Sequence, residues 1–233
     1  MKVTALLSIT VVVLSSGFVY AQTQEGGFGG DYIPVSQEML NDPDPADWLM
    51  WRRTYDGWGY SPLDQIDRSN VGQLQMVWSY ALDPYERGLQ TEPVVYNGVL
   101  YVRHPSELLV AHDATSGDLL WEYSRPLPEN IVGLDGITLH RGRGLALYED
   151  KLINFSTDGV LYALDARTGQ LVWERRMFDY LESRHQASGA PIVYEGVIVV
   201  PSNCSNGAAT PTCHLSAYNA ETGERLWRWY TSP

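Results

Sequence analysis

The sequence predicts an all-β chain, and within that class a partial β-propeller of four-stranded antiparallel blades with docking tryptophans. One observation is a phrase of eleven residues that occurs three times, as AHDATSGDLLW from Ala111, ALDARTGQLVW from Ala163 and AYNAETGERLW from Ala217. Another is that two short β-branched and aromatic runs, joined by a two-residue turn, precede each phrase. Four strands and a glycine turn that recur about every 50 residues are the pattern of a propeller blade.

Each repeat supplies its four strands in the same order. The first two strands are predicted hairpins with turns at Asn97-Gly98, Glu149-Asp150 and Glu195-Gly196, and Asn-Gly between apolar runs is a strong hairpin signal. The third strands read LLVAHD, VLYALD and HLSAYN. The fourth strands, DLLWEYS, QLVWERR and RLWRWYT, each carry the tryptophan of the phrase.

The fixed positions of the phrase have physical reasons. The Asp or Asn side chain accepts backbone N–H groups two residues on and starts the turn, while glycine supplies a positive φ. Tryptophan is large and flat enough to wedge between adjacent blades, where the small alanine leaves room for it. We therefore expect Trp121, Trp173 and Trp227 to pack between blades rather than to stack on a ligand.

An aromatic-rich segment lies upstream of the first full repeat. It reads DWLMWRRTYDGWGYSP from Asp47 and continues as NVGQLQMVWSYAL from Asn70, where Trp78 resembles the tryptophan of a fourth strand. Residues 46–233 are thus expected to form about three blades and part of another. Because a closed propeller needs four or more blades, such a ring is incomplete and leaves its edges uncovered.

The first 45 residues are predicted to stand apart from the blades. Residues 1–21 contain one charge, Lys2, then the apolar run ALLSITVVVL and a small-x-small site ending at Ala21, which is typical of a cleaved signal peptide. An uncleaved anchor is the alternative, although the apolar run is only about half of the ~20 residues that a spanning helix needs. Residues 22–45, rich in Gly, Pro and polar side chains, are expected to be a flexible leader. The expected location is periplasmic or secreted, with no membrane span after signal cleavage.

The charge of the chain excludes one class of partner. Its formal net charge is −12 at pH 7. Because phosphate binding needs clustered Lys and Arg, a nucleic-acid partner is not expected.

The two cysteines, Cys204 and Cys213, lie together in PSNCSNGAATPTC. This stretch makes the third unit eight residues longer than the other two between its hairpin turn and its tryptophan. In an exported chain a disulfide is the default state, so we expect the pair to close this inserted loop. A metal site is the alternative, but no histidine pair lies nearby.

The quoted motifs together resemble the quinoprotein alcohol dehydrogenases. They are the A-x-D-A-x-T-G-x-x-x-W phrase, the P-x-V-x-x-G hairpins and the opening D-W-x-x-W-x-R-x-x-x-x-x-G-Y-S-P-L. That family forms eight-bladed propellers that hold pyrroloquinoline quinone (PQQ) and a calcium ion on the central axis. The resemblance covers Asp47 to Pro233 and corresponds to the N-terminal part, under half, of a full family member.

The resemblance implies two cofactor-binding residues, Gln90 and Arg143. Members place a glutamate that contacts the cofactor in a G-Q-E-A-T-P segment, and the matching position in GLQTEP is Gln90, with Glu92 two residues later. The family's N-R-G segment supplies an arginine that polarises the quinone oxygens. Arg143 in Gly-Arg-Gly matches it, and a solvated loop arginine is the alternative interpretation.

A third segment implies further contacts with PQQ. The family's I-T-G-A-P contributes a hydroxyl to a PQQ carboxylate, and this chain has Ser188, Gly189 and Ala190 in A-S-G-A-P. A turn serine before a strand is the alternative interpretation of Ser188. Many members also have two adjacent cysteines over the cofactor, whereas this chain has Ile137 and Thr138 there.

The metal and catalytic positions depart from the family pattern. Calcium prefers carboxylate oxygens, but residues 201–213 contain no acidic residue, so Asn203 and Asn206 are the weak candidates for metal ligands. The family's second calcium ligand and its catalytic Asp base belong to blades expected beyond Pro233. The resemblance therefore implies no catalytic residue within this chain, which alone is expected to be inactive.

The function implied by the resemblance is oxidation of a small alcohol by PQQ, with electrons passing to a cytochrome c. The remaining propeller blades would be further partners. The alternative is a non-catalytic PQQ-like β-propeller that serves as a scaffold for periplasmic protein interactions.

Overall fold

The structure is a computed structural model that describes residues 32–81, 91–104, 107–131, 143–183, 189–202 and 214–231. These residues form three four-stranded antiparallel sheets, and sequential strands are neighbours in each sheet. The predicted all-β class and the partial propeller of four-stranded blades are confirmed.

Blade 1 comprises β1 (Val94–Tyr96), β2 (Val99–Arg103), β3 (Leu108–Asp113) and β4 (Leu119–Ser124). Blade 2 comprises β5 (Ala146–Tyr148), β6 (Lys151–Phe155), β7 (Val160–Asp165) and β8 (Leu171–Arg176). Blade 3 comprises β9 (Ile192–Tyr194), β10 (Val197–Pro201), β11 (His214–Asn219) and β12 (Arg225–Tyr230). The described helices are α1 (Gln37–Asn41), α2 (Tyr180–Ser183) and two 3-10 turns, Val71–Gln73 and Glu129–Ile131.

The turn between the third and fourth strands of each blade follows the predicted chemistry. In blade 2, Asp165 Oδ1 accepts the backbone N–H groups two and three residues on, at 3.0 and 2.9 Å. Asp113 and Asn219 accept the corresponding pairs of N–H groups in blades 1 and 3. The turn then needs a left-handed residue, and Gly169 supplies it with a φ of 69°.

The tryptophan of one blade docks on this turn in the next blade. Trp121 donates its indole N–H to the carbonyl of Ala166 at 3.0 Å, and its ring covers Gly169 so closely that a Cβ there would lie 2.6 Å away. Trp173 donates to Ala220 in the same way at 3.1 Å. Both indoles are buried, which confirms that these two tryptophans pack between blades.

Trp78 docks on blade 1 by the same contacts. Its indole N–H donates to the carbonyl of Ala114 at 3.0 Å, and a Cβ on Gly117 would lie 2.6 Å from its ring. The prediction that Trp78 lies in a β-strand is not met, because residues 51–81 contain only turns, bends, one 3-10 turn and stretches without regular secondary structure. A strand is defined by its hydrogen-bonded neighbour, and no described segment pairs with this one.

Trp227 differs from its two counterparts. It was expected to pack between blades, but its side chain is 46% exposed. The row that it ends, Val199–Ala217–Trp227, is equivalent in register to Tyr101–Ala111–Trp121 in blade 1. The blade 1 row is fully buried, whereas in the blade 3 row Ala217 is buried, Val199 is half-buried and Trp227 is exposed. The expectation for Trp227 fails because burial depends on a following blade.

The second half of the predicted leader, residues 32–45, is packed structure rather than a flexible segment. Val35 is fully buried and exchanges two backbone hydrogen bonds with Glu149, at 2.9 and 2.8 Å. Leu40 of α1 is 1% exposed and belongs to the core shared by blades 1 and 2. The expectation of a flexible leader is therefore wrong for residues 32–45. The predicted signal peptide, 1–21, and the leader up to residue 31 lie outside the described part of the chain.

The segment from Tyr32 to Tyr55 runs along the first strands of all three blades. Trp48 exchanges backbone hydrogen bonds with Val95 in blade 1, at 2.8 and 2.9 Å. At the far end, the Tyr55 hydroxyl donates to the carbonyl of Val193 in blade 3 at 2.5 Å. The segment thus occupies strand edges that would otherwise expose unpaired backbone groups.

The docking of Trp121 on Gly169 predicts that one added methyl group at this glycine destabilises the protein. Gly169→Ala should lower the free energy of unfolding by about 2–4 kcal/mol, because it combines a positive φ with a clash against the Trp121 ring. Gly98→Ala is the matched control, since its φ is 76° and nothing lies within 4 Å of the added Cβ. The control should lose about 1 kcal/mol. Urea unfolding measures both, and equal losses would contradict the docking contact.

The turn carboxylate of blade 1 predicts a dependence of stability on pH. The Thr115 hydroxyl, then the Ser116 and Thr115 amides, lower the pKa of Asp113 below its usual 3.8. Its contribution to stability is therefore present above pH ~4 and is lost as pH falls through the lower folded pKa. Asp113→Asn keeps a side-chain oxygen that can accept the turn N–H groups, as Asn219 does in blade 3. The urea concentration at the unfolding midpoint should therefore fall less between pH 5 and pH 2 in this variant than in the wild type. An unchanged loss would show that this turn is not the source.

Candidate cofactor-binding site

An open pocket of about 270 Å³ lies at the end of the blades where β5 and β9 begin. It is lined by Trp51, Arg143, Gly189, Ala190, Ile192, Val199, Pro201 and Leu215. Three of the five predicted cofactor-binding residues, Arg143, Gly189 and Ala190, therefore lie around one cavity. A mostly apolar pocket with a few polar groups is the usual form of a small-molecule site.

The backbone next to Arg143 is fixed by two neighbours. The Arg143 carbonyl accepts the N–H of Glu92 at 2.8 Å, and Glu92 forms a parallel bridge with Gly144. A Cβ on Gly144 would lie only 2.7 Å from the Cβ of Ala190. The chain leading into blade 2 therefore approaches the chain leading into blade 3 as closely as glycine allows, which brings Arg143 beside Ala190.

One wall of the pocket is an apolar face of blade 3. Ile192 on β9 pairs with Val199 on β10, and Pro201 on β10 pairs with Leu215 on β11. Alternate residues of a strand point to the same side, so these four side chains form one surface. The same surface continues to Trp227, so the pocket opens towards the uncovered face of the blade.

The aromatic wall comes from the segment between Tyr32 and Tyr55, called the opening segment below. Trp51 is 40% exposed, and the guanidinium carbon of Arg52 lies 4.9 Å from the centre of its ring, within the range of a cation–π contact. Arg52 and Arg53 have φ values of 59° and 70°, a left-handed conformation that non-glycine residues rarely adopt. Such a turn persists only when its surroundings determine it.

Burial changes the acid–base behaviour of two groups near this turn. Burial raises the pKa of Asp47 above its usual range, while its carboxylate accepts the N–H of Asn97 at 3.2 Å. Burial likewise raises the pKa of Tyr55, whose hydroxyl is held by Val193. The anchors of the opening segment thus lie partly out of water.

Several predicted site residues lie outside the described part of the chain. These are the candidates for cofactor contact, metal ligation and the disulfide, together with the pair at the family's vicinal cysteine position: Gln90, Ser188, Asn203, Asn206, Cys204, Cys213, Ile137 and Thr138. Their assignments remain predictions.

Sequence reasoning did not assign a site role to Trp51 or Glu92. Trp51 is the second tryptophan of the D-W-x-x-W motif, and its place in that motif is the feature of the sequence that could have indicated a role at the site. Glu92 was noted only as the acid after Gln90, and its hydrogen bonds to the opening segment join residues about 40 positions apart.

Two features are absent from the residues that the structure describes. These residues contain no group of three or more His, Cys, Asp or Glu side chains placed to hold a metal ion. Nor does any helix among them have the length and apolar character needed to cross a membrane.

Comparison with known proteins assigns the family. Residues 48–233 match the family model of the PQQ-type glucose/ethanol/alcohol dehydrogenase β-propeller domain. The quinohemoprotein alcohol dehydrogenase ADH-IIG of Pseudomonas putida is 37% identical over 242 residues, which cover 100% of this chain and 32% of the relative. A quinone alcohol dehydrogenase subunit of Gluconacetobacter polyoxogenes is 37% identical over 94% of this chain and 30% of its own.

Solved structures agree with that assignment. The structure of ADHIIG from Pseudomonas putida HK5 matches with a TM-score of 0.78 at 35% identity, covering 87% of this chain and 30% of its own. A europium-containing methanol dehydrogenase matches with a TM-score of 0.74 at 26% identity, covering 84% and 34%.

The fold and these matches define a propeller of the PQQ type. The chain belongs to the PQQ-dependent alcohol dehydrogenase family, as its motifs predicted. It spans about a third of the length of the curated relatives that it matches.

The close approach of Gly144 and Ala190 predicts a second sensitive glycine. Gly144→Ala should lower the free energy of unfolding by about 1–3 kcal/mol, because the new Cβ must displace the Ala190 Cβ. Gly72→Ala is the control, since an added Cβ there meets nothing within 4 Å. Urea unfolding of both variants is the measurement. A Gly144 variant as stable as the control would contradict the close approach at the pocket.

Proposed function

We propose that this chain forms the N-terminal portion of a periplasmic PQQ-dependent alcohol dehydrogenase, which oxidises an alcohol and passes electrons to a cytochrome c. The observation that carries the proposal is the gathering of Arg143, Gly189 and Ala190 around one pocket. The sequence alone matches these three residues to the family's cofactor segments.

The chemistry of the pocket fits the cofactor. PQQ is a flat ring system that carries carboxylates and an ortho-quinone. Arg143 supplies a permanent positive charge and planar N–H donors suited to carboxylate or quinone oxygens. The apolar surface of blade 3 and the Trp51 ring supply flat walls for the ring system.

The cofactor and the protein have separate tasks in this proposal. When bound, PQQ supplies the two-electron acceptor for alcohol oxidation. The residues of this chain bind and orient it: Arg143 holds its oxygens, while Ala190 and the blade 3 wall limit where the ring can lie. The base that removes the substrate proton is expected from a further blade, as the family resemblance implies.

The uncovered face of blade 3 supports the proposal that more blades complete the ring. Ile192 is 42% exposed, whereas its equivalents Val94 and Ala146 are both 1% exposed. Tyr194 is 51% exposed, whereas its blade 1 equivalent Tyr96 is 4% exposed. A following blade with the same turn would offer a glycine and a carbonyl to Trp227. Such a blade would also close the open side of the pocket.

The proposal also includes a location and an electron acceptor. The predicted signal peptide supports export, and the relatives include a quinohemoprotein alcohol dehydrogenase and a quinone alcohol dehydrogenase subunit. A haem protein is therefore the acceptor we propose. Calcium remains the proposed metal, with Asn203 and Asn206 as candidate ligands.

Removal of the Arg143 charge tests the proposal. In the full polypeptide encoded by the gene, Arg143→Gln should raise the PQQ dissociation constant roughly 10- to 100-fold, since a hydrogen bond to a charged group contributes about 1.5–3 kcal/mol. Titration with PQQ in the presence of calcium, followed by tryptophan fluorescence, measures it.

The control variant is Arg175→Gln, an exposed arginine on β8 outside the pocket, which should bind as the wild type does. Equal affinities of both variants would contradict the role of Arg143. If the wild type takes up no PQQ at any calcium concentration, the dehydrogenase proposal fails and the non-catalytic scaffold replaces it.

A further inference from the structure

A single carboxylate holds the strained turn of the opening segment. Glu92 Oε1 accepts the indole N–H of Trp48 at 3.2 Å and the backbone N–H of Arg52 at 2.8 Å. These two donors flank Trp51 in the sequence. The carboxylate thus fixes the chain on both sides of the residue that forms the aromatic wall of the pocket.

The backbone of the same glutamate is joined to the polar wall of the pocket. Its N–H donates to the carbonyl of Arg143 at 2.8 Å, and it forms a parallel bridge with Gly144. Glu92 therefore has its side chain on the Trp51 segment and its main chain on the Arg143 segment. Both Trp51 and Arg143 line the pocket, so Glu92 connects the two.

The turn that Glu92 holds would not keep its shape alone. Arg52 and Arg53 are both left-handed, which is unfavourable for residues with a Cβ. The Arg53 guanidinium anchors the far side by donating to the Pro43 carbonyl at 2.9 Å. On the pocket side, the carboxylate of Glu92 is the anchor. A strained backbone that neighbours over-determine at a pocket is a mark of a functional position.

We propose that Glu92 is a positioning residue of the cofactor pocket, which sets the Trp51 ring at a defined place relative to Arg143. The inference rests on the proposed function, since the ligand that the two walls receive is PQQ. Glu92 itself does not line the pocket; it acts through Trp51.

Two substitutions of Glu92 separate its role as a hydrogen-bond acceptor from the effect of its negative charge. Glu92→Gln keeps an oxygen that can accept both hydrogen bonds, whereas Glu92→Ala removes it. In the full polypeptide, the alanine variant should bind PQQ about tenfold more weakly, and the glutamine variant within about threefold of the wild type. Glu122→Ala, an exposed glutamate on β4, is the control and should not change binding. If both Glu92 variants bind PQQ more tightly, Glu92 acts only as a repelling charge and the inference is overturned.

A double-mutant cycle separates positioning from general stability. Trp51→Ala alone should weaken PQQ binding. The double variant Trp51→Ala/Glu92→Ala should bind PQQ less than twofold more weakly than Trp51→Ala, because Glu92 acts through the Trp51 ring, which both variants lack. A further tenfold loss in the double variant would show that Glu92 acts by another route. The coupling between Glu92→Ala and Trp51→Ala should persist when PQQ binding is measured well below the unfolding temperature of the variants, where general stability does not limit binding.

Hydrogen exchange gives a readout that does not depend on PQQ. Without cofactor, Glu92→Ala should speed amide exchange in the peptide 48–53 at least fivefold, while Glu92→Gln should restore the slow rate. Unchanged exchange in Glu92→Ala overturns the inference. If exchange changes as expected but the wild type binds no PQQ, the positioning role stands and only the proposed function fails.

Discussion

The contact of a tryptophan with the glycine turn of the next blade is the interaction on which the structure depends. The indole N–H of Trp121 meets the carbonyl of Ala166, and the ring leaves no space for a side chain on Gly169. The same contact recurs between blades 2 and 3 and between Trp78 and blade 1. It fixes the fourth strands of blades 1 and 2 against the blade that follows each, and it fixes Trp78 against blade 1.

These docking contacts determine which chain segments come together at the opposite end of the blades, where β5 and β9 begin. With the sheets held in a fixed relation, the segments leading into β5 and β9 run side by side, and Gly144 lies against Ala190. Arg143 then faces a pocket whose wall is the next sheet surface. The opening segment adds Trp51 by crossing the first strands of the blades, where it also covers strand edges.

The sequence predicts most of this where the signal is local or repeated. Hairpin turns, turn carboxylates and tryptophans recur at fixed spacing, and the segments with Arg143, Gly189 and Ala190 precede strands that the repeat defines. The packing of residues 32–45 could not be predicted, because it depends on partners such as Glu149, more than 100 residues away. The phrase of Trp227 follows the same pattern as those of the buried tryptophans, so the phrase alone does not distinguish Trp227 from them; only the predicted incompleteness of the ring does.

A structure of the full polypeptide, determined with saturating PQQ and calcium, would show where the cofactor lies relative to Arg143. The account predicts the quinone within hydrogen-bonding distance, roughly 3 Å, of the Arg143 guanidinium and in contact with Ala190. It also predicts Trp227 buried on the glycine turn of a following blade. A structure that binds PQQ away from Arg143, or that leaves this pocket empty at saturation, would contradict the account.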